Sequence, residues 1–411
     1  MDTKPSREPR YPCLTQLSTR GTFYDVGYNV GLNFSQRIQL FFAESDNIQQ
    51  KLLPFYHTRV GRDYYEESLR IMEQCFPHYV REVRGIADGA GLPFEHVFMA
   101  NVSKEVYNVL FDQLEAEGGL QQTPEGRTKS APEAACSQRN GSKQVNGKFQ
   151  ENFGCSEIFI NRPDLKLVVH NEDCDPMIKP YGYLLHADIE DGDVHEQFTS
   201  FCYPGFLPGC AYSFNAHGLT ITLNGLYPDR IMRDCPSRIF LNRALLSARD
   251  LDDVVRIARN EPYGAAYGFC ANISTADGDM AAVEVGPNKP RADVHVHRVE
   301  EERDPDKPCH YYHFNSYKHL KVPEIEGLMS STLRGKRSDE LPPPRDLRDA
   351  LVVMGDTKDP LGPIFRTPRP TDLGLTVATA VFDVMAREVF IYQGNPAPES
   401  NKPFVRLPMY K

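Results

Sequence analysis

No run of 18 apolar residues occurs in the 411-residue sequence, so we expect no membrane-spanning helix. The first ten residues contain no apolar core, and we therefore expect no signal peptide. Basic residues are not in excess, since 46 Lys and Arg stand against 56 Asp and Glu, which gives a net charge of −10. This acidic balance argues against nucleic acid or an anionic membrane as a partner, because both bind basic surfaces.

Several motifs of known chemistry are also absent. The ten cysteines are scattered without a CxxC pair, so we expect free thiols in a cytosolic chain. There is no GxSxG elbow, Walker loop, HExxH motif or dinucleotide fingerprint. Five histidines lie close together in the sequence, but no Cys/His pair at zinc-finger spacing accompanies them, and we predict neither a metal nor a cofactor. These are His295, His297, His310, His313 and His319.

The amino-terminal part, residues 1–114, has a helical pattern. Apolar residues recur at three- and four-residue spacing over 25–53, 64–86 and 94–111. The second stretch closes at the cluster of Gly85, Gly89 and Gly91, which is typical of a helix end. We predict three helical stretches here, and no strand over 21–112.

Residues 115–154 differ in composition, because Gly, Ser, Gln, Lys, Pro and Glu dominate. With so few large apolar residues, the segment cannot bury enough surface to hold one structure. We therefore predict a flexible loop before the cleavage point discussed below, and the alternative is a poorly patterned helix. Residues 155–411 are β-rich, with strands separated by hairpin turns and amphipathic helices over 236–259 and 345–354. The predicted strands cover 156–160, 165–171, 183–188, 198–203, 211–214, 219–224, 269–275, 280–285, 310–314, 376–382 and 388–393. This order indicates an α+β fold of packed antiparallel sheets flanked by helices.

The expected chemistry centres on Gly154 and Cys155, where the loop meets the first of these strands. The thiol could attack the carbonyl of Gly154, which has no side chain to hinder it, and break the chain by an N-to-S acyl shift. The freed Cys155 would carry an α-amino group with an ordinary pKa of about 7.7–8.0. That amine could take the proton from its own sulfur, so nucleophile and base would share one residue. The alternative is a small buried thiol at the start of a strand.

The residues at this junction read FGCS over 153–156, and HNED follows over 170–173. Further motifs occur in a fixed order along the chain, including RGTFYDVG and RGIADGAG in the helical part. They cover residues 20–27, 84–91, 214–226, 314–317, 330–334 and 376–396. In this order they resemble the N-terminal-nucleophile cysteine hydrolases of the penicillin acyltransferase type (peptidase C45), a family that includes the insect β-alanyl-dopamine hydrolase.

The resemblance implies a four-layer αββα sandwich with two antiparallel sheets. The chain would be made as one precursor and cut between Gly154 and Cys155 into a small α chain and a larger β chain. Cys155 would be both the cleaving and the catalytic nucleophile. Asp173, eighteen residues further on, would hold and orient the new α-amino group; the alternative is an aspartate of a surface turn.

Four more side chains receive roles from the resemblance. Asn224 would donate an N–H to the oxyanion of the tetrahedral intermediate, and Asn315 would position the scissile carbonyl. For both, capping of a turn or strand end is the alternative. Arg334 would lie behind the nucleophile, where its fixed charge favours the thiolate, unless it is a solvated arginine at a helix start. Arg366 falls near another arginine position of the family.

The function implied is that of an autoprocessed cysteine amidohydrolase, which cleaves the linear amide of a small N-acyl amine through an acyl-enzyme on Cys155. The substrate would resemble a β-alanyl conjugate of dopamine or histamine. The partner of each chain would be the other chain of the same precursor, and relatives often pair as heterodimers or as dimers of these. Acyl-CoA-dependent N-acyl transfer and an unprocessed, inactive binding homologue are the alternatives. The last three residues are not a peroxisomal tripeptide, which leaves a cytoplasmic location as the expectation.

Overall fold

The computed structural model describes residues 14–116, 142–145, 148–151, 154–304, 306–325, 329–369 and 374–410. The amino-terminal part begins with a strand, which is followed by helices. These are β1 (Thr15–Gly21), α1 (Phe23–Asn33), α2 (Ser35–Glu44), a π-helix (Asn47–Leu52), α3 (Leu53–Tyr56), α4 (Arg59–Cys75), α5 (Pro77–Ala90), α6 (Phe94–Asn101) and α7 (Ser103–Ala116). Strand β1, which ends where the stretch 21–112 begins and had no sequence prediction, pairs with a strand of the β-rich part.

The helix predicted over 64–86 is broken in two at Pro77, which begins α5. Gly91 ends α5 in the left-handed conformation with φ of 66°, as the sequence predicts. Gly85 instead lies inside α5 and lets α1 pack closely, because a Cβ there would lie 2.2 Å from the carbonyl oxygen of Tyr24.

Part of the predicted loop forms a hairpin of β2 (Ser142–Val145) and β3 (Lys148–Glu151). Residues 117–141, 146–147 and 152–153, on which the loop prediction also rests, lie outside the described residues. The eight cysteines in the described ranges are free thiols. Within those ranges no helix combines the length and apolarity that crossing a bilayer requires.

The β-rich part contains every strand predicted from its sequence, together with elements that were not predicted. The elements are β4 (Ser156–Arg162), β5 (Leu165–Cys174), a 3-10 turn (Pro176–Ile178), β6 (Tyr183–Asp191), β7 (Val194–Cys202), β8 (Tyr212–Asn215), β9 (Thr220–Gly225), α8 (Arg238–Leu245), α9 (Leu251–Arg259), β10 (Phe269–Ser274), β11 (Met280–Gly286), β12 (Asp293–Arg298), β13 (His310–His313), α10 (Met329–Glu340), α11 (Leu347–Met354), β14 (Leu375–Asp383), β15 (Glu388–Tyr392) and β16 (Val405–Pro408). The helix predicted over 236–259 is two helices, since Asp250 caps a new one at its amino end. Helix α10 and strand β16 had no sequence prediction, and strand β12 lies outside the strand ranges given above.

Two large sheets are formed. One has eight strands in the order β1-β6-β7-β8-β9-β10-β11-β12, and the other has six in the order β13-β4-β5-β14-β15-β16. The six-stranded sheet is antiparallel throughout. The eight-stranded sheet is mixed, because its edge strand β1 runs parallel to β6, which corrects the prediction of two purely antiparallel sheets.

Alternation along β4 shows how the layers stack. Ile158 and Ile160 belong to a core formed with helix α11, whereas Phe159 between them faces the main core on the side of the other sheet. In the eight-stranded sheet, Thr222 of β9 donates to Glu157 of β4 and therefore points between the sheets. Its neighbours Ile221 and Leu223 face the opposite side and pack in the main core, which includes residues of helix α8. The order of layers is helices, sheet, sheet, helices, which confirms the αββα prediction.

Candidate active site

The pairing of β4 with β5 brings four chemically active side chains to one face. Glu157 pairs directly with His170, and Ser156 pairs with Asn171. Directly paired residues point the same way and alternate residues share a face. Cys155 and Glu172 therefore stand beside Glu157 and His170 on the face between the sheets.

Hydrogen bonds connect these side chains in a row. The thiol of Cys155 donates to Oε2 of Glu172 over 3.6 Å. His170 contacts the same oxygen through Nε2 at 3.0 Å, and its Nδ1 lies 2.7 Å from Oε2 of Glu157. The hydroxyl of Tyr203 donates to the other oxygen of Glu172. The result is a continuous polar chain from the thiol to Glu157.

Burial and charge set the protonation of this chain. Cys155 is 7% exposed and His170 is fully buried. Burial and the nearby Glu172 carboxylate raise the pKa of the thiol. Burial lowers the pKa of His170, but the charge of Glu157 and hydrogen bonds with Cys155, Glu157 and Glu172 outweigh it and raise that pKa well above its usual value. At neutral pH the row therefore holds a protonated thiol beside a cationic imidazole between two glutamates.

The other sheet supplies the surroundings of Glu157 and fixes the orientation of Asn224. Thr222 of β9 donates its hydroxyl to Oε2 of Glu157 over 2.8 Å. Asn272 of β10 donates to Oδ1 of Asn224 over 2.5 Å. The side-chain Nδ2 of Asn224 is buried and has no hydrogen-bond partner among the described residues. A held amide with an unpartnered N–H is what an oxyanion donor requires.

Gly154 is enclosed by two of the predicted site residues. A Cβ at this position would lie 2.0 Å from Oδ1 of Asn315 and 3.0 Å from Nη2 of Arg334. Asn315 donates its Nδ2 to the carbonyl of Gly225 over 2.9 Å, so its amide is held in place. Only a residue without a side chain fits between them.

Arg334 reaches Cys155 from the helix side of the six-stranded sheet. Its Nη1 donates to the carbonyl oxygen of Cys155 over 2.7 Å, and its Nη2 donates to Oδ1 of Asn315 over 2.7 Å. Burial and the charge of Arg366 lower the pKa of Arg334 to about 10, so it stays cationic at neutral pH. The structure thus brings Arg334, which the sequence predicts behind Cys155, to the backbone of that residue.

Asp173 lies on the opposite face of β5 from the thiol, next to Thr376 of β14. Thr376 donates its hydroxyl to Oδ1 over 2.5 Å, and Oδ2 lies 3.3 Å from Nε of Arg366. Burial raises the pKa of Asp173 to about 6, although Arg366 and Arg334 act in the other direction. Arg366, given less weight from the sequence, is thus the ion-pair partner of Asp173.

A cavity of about 140 Å³ joins these groups. Gly154, Cys155, Asp173 and Asn315 border it, and so does Glu172. Asn224 and Arg334 do not line the cavity, although both neighbours of Asn224, Leu223 and Gly225, do. Aromatic side chains from both parts of the chain complete the wall, among them Phe41, Tyr107, Tyr203 and Phe206.

Sequence reasoning gave no role to Glu157, His170 or Glu172. A signal was present, because His170 and Glu172 occupy alternate positions of a strand that is otherwise rich in Leu and Val. In a strand buried on both faces, charged residues two apart indicate a polar site on one face. The pairing with Glu157, however, depends on the register, which the sequence does not give.

Among the residues that the structure describes, two groups of side chains have the spacing of metal ligands. The ligand atoms of Cys155, His170 and Glu172 lie within 4.8 Å of one another, and so do those of Asp188, Glu190 and His195. The histidines weighed from the sequence are arranged differently. His319 stacks on His295 and on His297 with ring centroids 4.8 and 4.4 Å apart, so these rings lie face to face instead of converging on one point.

Comparison with known proteins identifies relatives over most of the chain. A family model described as acyl-coenzyme A:6-aminopenicillanic acid acyl-transferase matches residues 160–398. The beta-alanyl-dopamine/carcinine hydrolase of Drosophila melanogaster is 28% identical over 414 residues, which are 98% of this chain and 97% of that protein.

Among solved structures, penicillin V acylase from Agrobacterium tumefaciens is 13% identical with a TM-score of 0.35, over 58% of this chain and 83% of its own. A mutant conjugated bile acid hydrolase from Clostridium perfringens is 10% identical with a TM-score of 0.36, over 61% and 96%. Likenesses this distant support no conclusion about the site. The family model covers more than half of the sequence, and the chain therefore belongs to the acyl-coenzyme A:6-aminopenicillanic acid acyl-transferase family, as its ordered motifs predict.

Proposed function

We propose that the chain is an amide-bond hydrolase that cuts itself between Gly154 and Cys155 and then works through an acyl-enzyme on Cys155. One observation carries the proposal: the thiol and the Gly154 backbone border the same cavity, and Gly154 is enclosed so tightly that no side chain would fit. Membership of the family and the full-length similarity to a hydrolase support the reaction class.

In each turnover, the α-amino group of the freed Cys155 takes the thiol proton, and the sulfur attacks the amide carbon of the substrate. Asn224 donates its unpartnered N–H to the oxyanion. The C–N bond breaks as the leaving amine receives the proton, and water then hydrolyses the thioester. Asp173 accepts hydrogen bonds from the ammonium form of Cys155, and Asn315 holds the scissile carbonyl.

The substrate class that we propose is small N-acyl amines, in particular β-alanyl conjugates of aromatic amines. The Drosophila relative is named for beta-alanyl-dopamine and carcinine. A cavity of about 140 Å³ with Tyr107, Tyr203 and Phe206 in its wall suits a small aromatic amine. The carboxylates of Glu172 and Asp175, which also line the cavity, suit a positively charged acyl group.

Acyl transfer is the second candidate, and it is favoured by the description of the family model as an acyl-transferase. The two reactions differ only in whether water or an amine takes the acyl group from Cys155. A mass-resolved assay of β-alanyl-dopamine, with and without an acyl-CoA, distinguishes them. Hydrolysis without acyl-CoA supports our proposal, whereas an N-acylated amine formed only with acyl-CoA supports transfer.

Replacement of Cys155 by Ala tests self-cleavage. We expect purified wild-type protein to give two bands on a denaturing gel, and the Cys155→Ala protein to give one band near 46.6 kDa. Mass spectrometry of the larger fragment should show Cys155 as its first residue. A variant that is still cut before residue 155 would exclude the mechanism. An intact wild-type chain without hydrolase activity would instead favour the inactive binding homologue.

A further inference from the structure

The uncut chain has a chemical requirement that the finished enzyme does not have. Before cleavage, the nitrogen of Cys155 is part of the peptide bond to Gly154 and has no lone pair available to accept a proton. The α-amino group that serves as base in turnover therefore does not yet exist. Burial also raises the pKa of the thiol, so it does not ionise by itself near neutral pH. Another group must take its proton during self-cleavage.

Glu172 has the position that this step requires. The Cys155 thiol donates its proton toward Oε2 of Glu172 over 3.6 Å, a normal length for a bond from sulfur. Glu172 is 2% exposed, so water does not compete for the contact. Asp173, the other carboxylate nearby, points to the opposite face of β5 and is held there by Thr376 and Arg366.

Two neighbours hold Glu172 in this orientation. Tyr203 donates its hydroxyl to Oε1, which leaves Oε2 for the thiol and His170. His170 is itself fixed at its other nitrogen by Glu157, over 2.7 Å. The carboxylate therefore cannot rotate away from the sulfur without breaking several buried hydrogen bonds.

On the basis of the proposed self-cleavage, we propose that Glu172 is the proton acceptor for the Cys155 thiol in the uncut chain, with His170 and Tyr203 as its positioning residues. Glu172 takes the thiol proton as the sulfur bonds to the carbonyl carbon of Gly154. The C–N bond then breaks, and the same proton passes to the departing nitrogen, which becomes the α-amine of Cys155. Water hydrolyses the resulting thioester, which frees the thiol and the carboxylate of Gly154.

The test is the first-order rate of self-cleavage of the full-length chain, followed by denaturing gel from freshly refolded precursor. We expect Glu172→Gln, which keeps the shape of the side chain but removes the accepting charge, to be cut at least about 100-fold more slowly than wild type. Glu172→Asp, which retains a carboxylate, should be cut at an intermediate rate. Glu67→Gln makes the same replacement at an exposed carboxylate paired with Arg70, outside the site, and should be cut at the wild-type rate.

The outcomes separate this inference from the proposal on which it rests. If Cys155→Ala is still cut, self-cleavage by Cys155 is wrong. If Cys155→Ala stays intact but Glu172→Gln is cut within threefold of the wild-type rate, only the role of Glu172 is wrong. Circular dichroism shows whether each variant is folded. Should Glu172→Gln not fold, Glu172→Asp decides, because a wild-type rate with the shortened side chain would also overturn the inference.

Discussion

Asn224 shows how much a single side chain can depend on its neighbour across the sheet. Its Oδ1 accepts a hydrogen bond from Asn272 over 2.5 Å, and this fixes which end of the amide is left for a ligand. The remaining Nδ2 is buried without a partner among the described residues. A buried donor without a partner lowers the stability of the fold by about 1–3 kcal/mol. We therefore interpret the unpartnered N–H of Asn224 as a group used in the reaction.

We expect Asn224→Ala to lower kcat for amide hydrolysis by a factor of about 10² to 10³, equivalent to about 2.7–4 kcal/mol of the barrier, with little change in KM. The physical reason is that an oxyanion donor binds the transition state more strongly than the ground state. Steady-state kinetics of the cut enzyme measure both constants. A raised KM with unchanged kcat would contradict this and would make Asn224 a ground-state contact.

For single residues, the sequence was informative about which ones to consider for the site and uninformative about the direction in which their side chains point. The order of motifs selected Cys155 and Asp173 as candidate site residues, and both line the same cavity in the structure. It could not reveal that Asp173 faces Arg366 while the thiol faces Glu172, because strand register decides the face and the sequence leaves register open. The role of each of these residues stays a prediction until the variants are measured.

At the scale of elements, the packing of α1 against α5 explains glycines that the sequence could interpret only as a helix end. A Cβ on Gly85 would lie 2.2 Å from the carbonyl oxygen of Tyr24 and 2.7 Å from the amide nitrogen of Tyr28. Both are backbone atoms of α1, which cannot move without moving the helix. Gly335 in α10 is different, since its nearest neighbour would be a ring carbon of Phe314 at 3.9 Å.

These two glycines form a matched pair for a stability test. Gly85→Ala should lower the free energy of unfolding by about 1–3 kcal/mol, because it overpacks the contact of the two helices. Gly335→Ala should raise it by about 0.5–1 kcal/mol, because alanine has the higher helix propensity and space is available. Urea titration in the uncut Cys155→Ala background measures both changes. Equal effects of the two substitutions would show that close packing at Gly85 is not what requires glycine.

Element boundaries mark the limit of sequence reasoning for a physical reason. The periodic pattern over 64–86 continues across Pro77, and that over 236–259 continues across the break before Asp250, because both halves bury the same kind of apolar face. Strand β1 has an alternating pattern of partly buried and exposed residues, and its parallel pairing with β6 is a long-range contact. Local propensity predicts the element types, and tertiary contacts decide where they end.

At the scale of the whole molecule, the proposed cut divides the fold between two chains that must stay together. Residues before the cut supply helices α1–α7 and strand β1, which packs against β6 from the other side of the cut. A buried ion cluster crosses the same boundary. Arg243 of α8 donates to Glu82 of α5 over 2.9 Å and to Glu196 of β7 over 2.7 Å, and its side chain has no solvent exposure.

A second ion pair across the boundary provides the control. Arg81 and Asp191 lie 2.6 Å apart, but the arginine side chain is 54% exposed. Exposed pairs contribute about 0–1 kcal/mol, whereas removing one partner of a buried cluster costs about 3–5 kcal/mol, because the remaining charge stays buried. In this cluster, burial already raises the pKa of Glu82 to about 7 despite the opposing charge of Arg243.

We therefore expect Arg243→Met to separate the two chains at a clearly lower urea concentration than wild type, and Arg81→Ala to leave that concentration almost unchanged. Size-exclusion chromatography of the cut protein across a urea series measures the separation. The same separation can be measured at several pH values. Burial raises the pKa of Glu82 in the folded protein above its unfolded value of about 4.5. The contribution of this carboxyl group to stability is therefore present below pH 4.5 and is lost as the pH rises toward 7. If Arg81→Ala weakened the association as much as Arg243→Met, the buried cluster would not be what joins the chains.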